Sequence, residues 1–503
     1  MNNFKSLLWA CLLVVVLAPC AQADHVKIVA VNDTHSQIDP APDGKGGVLR
    51  RRAIYDKIRK ENKNCVVVHA GDAVQGSNYF SLYGGRVEFP LIDSLKYDMV
   101  IFGNHEFDNG IDSLSTFYNN LKAVKLSANY DVSASRVQGV QPYLVKAFGD
   151  KRVGFFGISV NPVGMVAEGN FKGLRYLDAM QVADATAQYL KEVQKVDYAV
   201  MISHIGYNSM DPKEPNDSLI VAHSHYIDMV IGGHSHTVIE PGSVYSRVRN
   251  ADGKIVTIGQ NGKSGKLVGV YDLDLETGAV DYKHIVVDAS WDEAAQAYTA
   301  LNEWLNGYRK EVVRLETAPV ATSTRFMKNN GDAMMNWLTD AVMNIMPTLY
   351  TGKIDCCIMN KGGIRIDMPQ GPITEGTIRS MFPFDNRFVV LELTGQDLLD
   401  ALKVMAYRDG DAVSKQLQVR YNGKKEIVSA KLNGKDIKPA QTYAVATINF
   451  LANGGDYMVS FKNGKRVYLD NQKYGNHILN YVKLLQSQGK RIEAKSDKRM
   501  RLQ

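Results

Sequence analysis

The sequence predicts an α/β protein of two domains, and three observations carry that expectation. Between residues 25 and 288, short apolar runs alternate with polar or amphipathic segments, the pattern of strands and helices in turn. Five of those runs end in Asp, His or Asn. Near residue 290 the pattern gives way to one glycine-poor stretch with helical spacing, and a second set of strands and helices follows it. At 503 residues the chain can build a core in each of two domains.

The first 23 residues read as a targeting segment. Lys5 supplies a positive start, residues 7–17 an apolar stretch, and Ala21-Gln22-Ala23 a small-residue cleavage site. Export with a mature start at Asp24 is therefore expected. Leu17-Ala18-Pro19-Cys20 also has the form of a lipid-attachment box, ranked lower because proline directly precedes Cys20. No later segment offers the roughly 20 apolar residues of a transmembrane helix. Cleavage would leave Cys65, Cys356 and Cys357, too few for a disulfide scaffold, and the last two sit in an apolar run as buried thiols. Exported yet poor in cysteine, the chain fits a bacterial periplasm better than a eukaryotic extracellular space.

A hydrophobic fraction of 45% and a charged fraction of 22% are ordinary for a globular protein. The net charge of +6 comes from scattered Lys and Arg. That balance suits an anionic substrate and gives no basic, aromatic-interleaved groove for nucleic acid.

Taken in order, helices are expected at residues 48–61, 111–121 and 179–193, with later strands at 254–258 and 267–271 and a turn at Glu276-Thr277-Gly278. This first domain covers residues 24–289. Residues 290–317 are expected to form a single linking helix. Residues 318–503 form the second domain, opening with a helix at 332–345 and turning at Asn422-Gly423 and Asn433-Gly434.

The five polar strand ends carry the chemistry. Residues 26–31 lead into Asp33 and His35, residues 65–68 into Asp72, and residues 99–102 into Asn104. Residues 198–202 lead into His204, and residues 229–231 into Gly232-Gly233-His234-Ser235-His236. Open α/β sheets collect their ligands at such ends. Asp33 and His35 are two apart, as are His234 and His236, so each pair can project to one side of an extended strand end. Asp72 has two oxygens and can bridge two cations, while Asn104 adds a neutral amide oxygen. Seven ligands with one shared carboxylate suit two divalent ions that activate water and neutralise a phosphate. His105 lies three residues before Asp108, which can orient and charge it for work on the phosphoryl or leaving oxygen. His69 is expected to support the core, and His223 and His225 to lie on a helix surface or behind the ligands.

Asp33-Thr34-His35, Gly71-Asp72, Gly103-Asn104-His105-Glu106-Phe107-Asp108, Ser203-His204 and the Gly232–His236 stretch together resemble the calcineurin-like metallophosphoesterases. The resemblance implies a dinuclear centre at Asp33, His35, Asp72, Asn104, His204, His234 and His236, with Zn, Mn, Fe or Co as candidate ions. It implies a catalytic pair at His105 and Asp108.

The second half has its own cluster. Asn360-Lys361-Gly362-Gly363-Ile364-Arg365 follows an apolar run, Pro383-Phe384-Asp385-Asn386 comes next, and Phe450 and Asp456 lie further on. Two aromatics on separate loops can sandwich a base, an Asp can hold ribose hydroxyls, and Arg clamps phosphate. Together these residues resemble the C-terminal domain of the 5'-nucleotidase family, which includes periplasmic UDP-sugar hydrolases. The implied fold is a four-layer α/β/β/α metal domain followed by an α+β substrate domain. The implied nucleotide site holds Asn360, Arg365, Phe384, Asn386, Phe450 and Asp456, with Arg325 as the nearest match to an arginine ahead of the domain's first helix. Lys361 stands where the family usually has glycine, putting a cation near the phosphate path or in solvent, and Tyr457 stands where glycine often follows the Asp.

The activity so implied is hydrolysis of nucleoside 5'-monophosphates, with UDP-sugars and nucleoside di- or triphosphates as further substrates. The rivals are a 2',3'-cyclic-nucleotide phosphodiesterase/3'-nucleotidase and a protein that captures nucleotides without turning them over. A thiosulfohydrolase on the same scaffold is disfavoured by Phe384, Phe450 and Asp456.

Overall fold

The computed structural model describes residues 25–209 and 214–503. The expected targeting segment lies outside them. Among the described residues no helix is long and apolar enough to cross a membrane.

The first domain stacks two sheets between two helical layers. One sheet has seven strands, with His25–Val31, Cys65–His69, Met99–Ile101 and Val124–Leu126 adjacent and parallel. Leu267–Asp274 and Val280–Val286 close one edge in antiparallel fashion. The other sheet has six strands, centred on Tyr198–His204 between Lys151–Ser159 and Met229–Ile231. Side chains alternate across each strand. Val26, Ile28 and Ala30 therefore join Val200, Ile202 and Phe155 in the core between the sheets. Val29 and Val31 face helix Val48–Glu61 instead, and Phe156 and Met201 face helix Ala179–Glu192. Four layers result, as the family resemblance implied.

The second domain has one apolar core around a five-stranded mixed sheet, in which Arg387–Thr394 pairs with Thr442–Ile448 and Lys465–Lys473. Cys356 and Cys357 lie in its strand Cys356–Met359 as buried free thiols. Helix Asp332–Ile345 has the bounds expected of it.

The linking segment differs from expectation. It is a 3₁₀ turn at Ala289–Trp291, a short helix at Asp292–Ala295 and a long helix at Thr299–Thr317. The interruption has a tertiary cause. Tyr298 leaves helical geometry (φ −97°, ψ 48°) while its hydroxyl donates to Asp56 at 3.1 Å and Arg52 lies over its ring at 5.5 Å. Leu305 and Val312 of the long helix are buried against the first domain.

Candidate metal centre and interdomain cleft

Parallel strands bring their ends to one edge, so the five polar strand ends of the sequence meet in space. Asp33, His35 and His236 offer ligand atoms within 4.8 Å of one another, and so do Asp72, His204 and His234. Asp72 also joins His35 and His105 in a third such group, which places it between the two clusters. Asn104 Oδ1 lies 2.9 Å from His234 Nδ1.

The backbone is bent hard to achieve this. Asp33, His35, Asp72, His234 and His236 all have φ between 48° and 79°, a region that costs non-glycine residues free energy. Gly103 is required by close approach: a Cβ there would lie 2.2 Å from Asp72 Oδ1. One at Gly233 would lie 2.8 Å from the Ala70 carbonyl and from His204 Nδ1.

Outer contacts aim the ligands. His204 Nδ1 donates to the Ala70 carbonyl at 2.7 Å, and His35 Nδ1 to the Gln75 carbonyl at 3.1 Å. Each ring thereby keeps its Nε2 for the centre. His35 Nε2 lies 2.9 Å from His236 Nε2, an approach of two ring nitrogens that a shared cation explains. Asp33 Oδ1 and His204 Nε2 are buried without a hydrogen bond among the described residues, their near neighbours being the fellow ligands His236 Nε2 at 3.3 Å and Asp72 Oδ2 at 3.1 Å. Orphaned atoms in a donor set of carboxylates, imidazoles and an amide fit divalent cations.

Charge balance supports the same reading. Burial opposes ionisation of Asp33, but His204 and His236 outweigh it and hold the carboxyl down at about 2. Burial drives His35 down to about 3 and His234 to about 4, which leaves both neutral, the form that binds metal. Burial works against a charged His204 too, yet Asp72 and Asp33 overcome it and raise it to about 10. Two ionised carboxylates thus draw positive charge to this point.

His105 stands beside the clusters on a 3₁₀ turn, His105–Phe107. Its Nδ1 is 2.9 Å from Asp108 Oδ2 and its Nε2 is 3.3 Å from Arg365 Nη2, in the other domain. Burial disfavours its cation, but Asp108 and Asp72 more than compensate and shift it upward. Arg365 also reaches Gln75 Oε1 at 3.4 Å.

All of this opens on a cavity of about 440 Å³ between the domains. Asp72, Asn104, His105, Asp108, His234 and His236 line one wall, and Asn360, Arg365, Phe384, Asn386, Phe450 and Asp456 the other. The volume suits a small organic ligand. Asn360 Nδ2 donates to Asp456 Oδ2 at 2.7 Å, and the Asn360 Oδ1 is buried without a partner among the described residues.

Arg325 is not brought to this cavity. It is exposed on the loop after strand Pro319–Ser323, and only its carbonyl is engaged, by the Ser323 hydroxyl. That strand pairs with Gly371–Thr374, and the two residues from Arg325 on are exposed. Lys361 takes neither course expected of it: its ammonium donates to the Arg408 carbonyl behind the cavity wall. His69 is buried against the Thr34 hydroxyl, and His223 and His225 are exposed and absent from the ligand groups.

Sequence reasoning missed Glu106 and Gln75. The Glu106 carboxylate accepts the backbone N–H groups of Gly103, Asp72 and Ala73 at 2.6–3.0 Å, so it holds the loop that carries Asp72. Its signal was present, a buried carboxylate between Phe102 and Phe107. Gln75 acts largely through its carbonyl and leaves no trace in residue type.

Comparison with known proteins decides the family. A model described as calcineurin-like phosphoesterase matches residues 26–238, and one described as 5'-nucleotidase, C-terminal domain, matches residues 313–463. The chain belongs to the 5'-nucleotidase family of metallophosphoesterases. It is 28% identical to a human 5'-nucleotidase over 502 residues, spanning 88% of this chain and 85% of that one. It is 26% identical to an apyrase of Tabanus yao, spanning 91% of each. The crystal structure of a 5'-nucleotidase precursor from Thermus thermophilus superposes with a TM-score of 0.82 at 27% identity, over 95% of this chain and 99% of that one. As a member of this family the chain is a metal-dependent phosphoesterase, and the clusters around Asp72 are its candidate metal positions.

Proposed function

We propose that this protein is an exported 5'-nucleotidase that hydrolyses nucleoside 5'-monophosphates to nucleoside and phosphate. One observation carries the reading: Asp72, His234 and His236 of the metal-ligand clusters and the aromatic, Asp- and Arg-bearing wall of the second domain line a single cavity.

Asp33, His35, His236 and Asp72 would hold one divalent cation, and Asp72, Asn104, His204 and His234 a second. Such a pair, whether Zn, Mn, Fe or Co, activates water and neutralises phosphate charge. The rest of the work falls to side chains. Phe384 and Phe450 stack on the base, and Asp456 takes hydrogen bonds from ribose hydroxyls. Arg365 and His105, whose nitrogens converge at 3.3 Å, offer donors to one phosphoryl group. With Asp108 holding Nδ1, the His105 Nε2 faces the cavity and can give its proton to the leaving oxygen. Residues 1–23 would export the chain and be removed.

The test is phosphate release by the purified mature protein from AMP, 3'-AMP, 2',3'-cyclic AMP, UDP-glucose and ATP, with chelator and with added Mn or Zn. Metal-dependent turnover led by AMP is expected. Turnover led by 3'-AMP or the cyclic substrate would overturn the substrate assignment, and binding without turnover would make the protein a nucleotide-capture protein.

A further inference from the structure

Behind the cavity wall, four side chains of alternating charge run from Lys361 to Asp411, Arg408 and Asp456. Arg408 caps the C-terminal end of helix Gly395–Tyr407. Its Nη1 donates to the Asp456 carbonyl at 3.1 Å and lies 3.0 Å from Asp456 Oδ2 as an ion pair. It also lies 3.7 Å from Asp411 Oδ2. Asp411 is 3% exposed and accepts the Lys361 backbone N–H, while the Lys361 ammonium donates to the Arg408 carbonyl. That ammonium meets a helix C-terminus, where carbonyls lack partners and cations are favoured.

These contacts treat the two oxygens of Asp456 unequally. Oδ2 accepts from Asn360 at 2.7 Å and pairs with the Arg408 guanidinium at 3.0 Å. No hydrogen bond engages Oδ1 among the described residues. The backbone is held as well: Asp456 has φ 53°, and its N–H donates to the Gly164 carbonyl of the first domain at 2.7 Å. A free carboxylate rotates about its last bond and presents either oxygen. Here rotation would break the hydrogen bond from Asn360 and the ion pair with Arg408 at Oδ2. Arg408 does not line the cavity.

We infer that Arg408 is a positioning residue for sugar recognition: with Asn360 it pins Oδ2 of Asp456 and leaves Oδ1 to accept from a vicinal diol, so that it sets the preference for ribose over sugars lacking those hydroxyls. The inference rests on the nucleotidase reading, in which Asp456 faces the ribose. Asp411 lies beside the guanidinium and the Lys361 ammonium holds the Arg408 carbonyl, which gives the departure from glycine at position 361 a purpose away from the phosphate.

The experiment compares binding of adenosine and 2',3'-dideoxyadenosine to the metal-loaded mature protein by calorimetry, in wild type, Arg408→Gln and Arg408→Lys. A hydrogen bond to a charged acceptor is worth about 1.5 kcal/mol or more, so wild type should prefer adenosine by about tenfold. Arg408→Gln should cut that preference to about twofold by weakening adenosine alone, and Arg408→Lys, which keeps a cation beside Asp411, should fall between. A structural role alone would weaken both ligands equally and would overturn the inference. So would an unchanged ratio in Arg408→Lys, the variant that decides the matter if Arg408→Gln does not fold. Equal binding of the two ligands by wild type would refute it as well. AMP hydrolysis is scored separately on the same samples. Adenosine preferred without AMP turnover would defeat the catalytic reading and leave the Arg408 result standing.

Discussion

Glu88 offers a prediction whose size follows directly from its surroundings. It is 4% exposed in the first turn of helix Glu88–Ser94, and neither carboxylate oxygen has a hydrogen-bond partner among the described residues. It shares a small cavity with Ser36, Arg51 and His69, directly behind the loop that carries His35. Burial pushes its carboxyl up from 4.5 to about 7. A folded-state value above the unfolded one means that stability is fully present below pH 4.5 and is lost as pH rises through about 7. The shift corresponds to about 3 kcal/mol. Glu88→Gln removes the ionisation and keeps the shape. Urea denaturation of wild type and variant, from pH 4 to pH 8, should therefore show the variant gaining about 3 kcal/mol on wild type between pH 4.5 and 7, whatever constant offset separates them at acid pH. A difference that does not vary with pH would refute the argument. A trend of opposite sign would mean that Arg51, whose Nε and Nη1 are also buried without partners among the described residues, pairs with Glu88 through water.

Three further outcomes are expected. His105→Ala should lower kcat by about 10²–10⁴-fold with AMP while metal content, read by elemental analysis, stays at the wild-type level. Equal loss of metal would make His105 a ligand. Glu106→Gln should weaken metal binding by about 10–100-fold in calorimetric titration, because the carboxylate that accepts three N–H groups around Asp72 becomes half donor. Phe450→Ala should raise KM for AMP by about tenfold or more with little change in kcat, since stacking on a base contributes about 1–3 kcal/mol to binding. A fall in kcat at unchanged KM would place Phe450 outside the base site.

Much of this molecule was legible in the order of its residues. Buried strands that end in Asp33, Asp72, Asn104, His204 and His234 are recognisable because a parallel sheet needs apolar runs, and the runs stop where the chain must turn polar. Parallel pairing gathers the ends within each sheet and the packing of the two sheets joins them, while the metal-ligand set itself was available before any coordinates. The four layers came only with the family resemblance, and the folded chain shows their basis, residues 26–31 dividing alternately between two cores. Other features depend on contacts between residues far apart in the chain. Nothing near Tyr298 signals a break in the linking helix, because Asp56 and Arg52 cause it. Arg325 was only the nearest arginine to a family position whose spacing it did not keep, and in the fold it is exposed.

The division is sharpest at the nucleotide wall. Resemblance to the 5'-nucleotidase C-terminal domain nominated Asn360, Arg365, Phe384 and Asp456, and residue type added only that stacking, clamping and diol binding are chemistry open to Phe, Arg and Asp. Which oxygen of Asp456 is free, where the Lys361 charge goes, and that Arg365 meets His105 across the domain boundary were decided only in the folded molecule. Those are matters of distance and direction between segments separated by tens to hundreds of residues. Local sequence specifies what a side chain can do, and packing specifies what it faces.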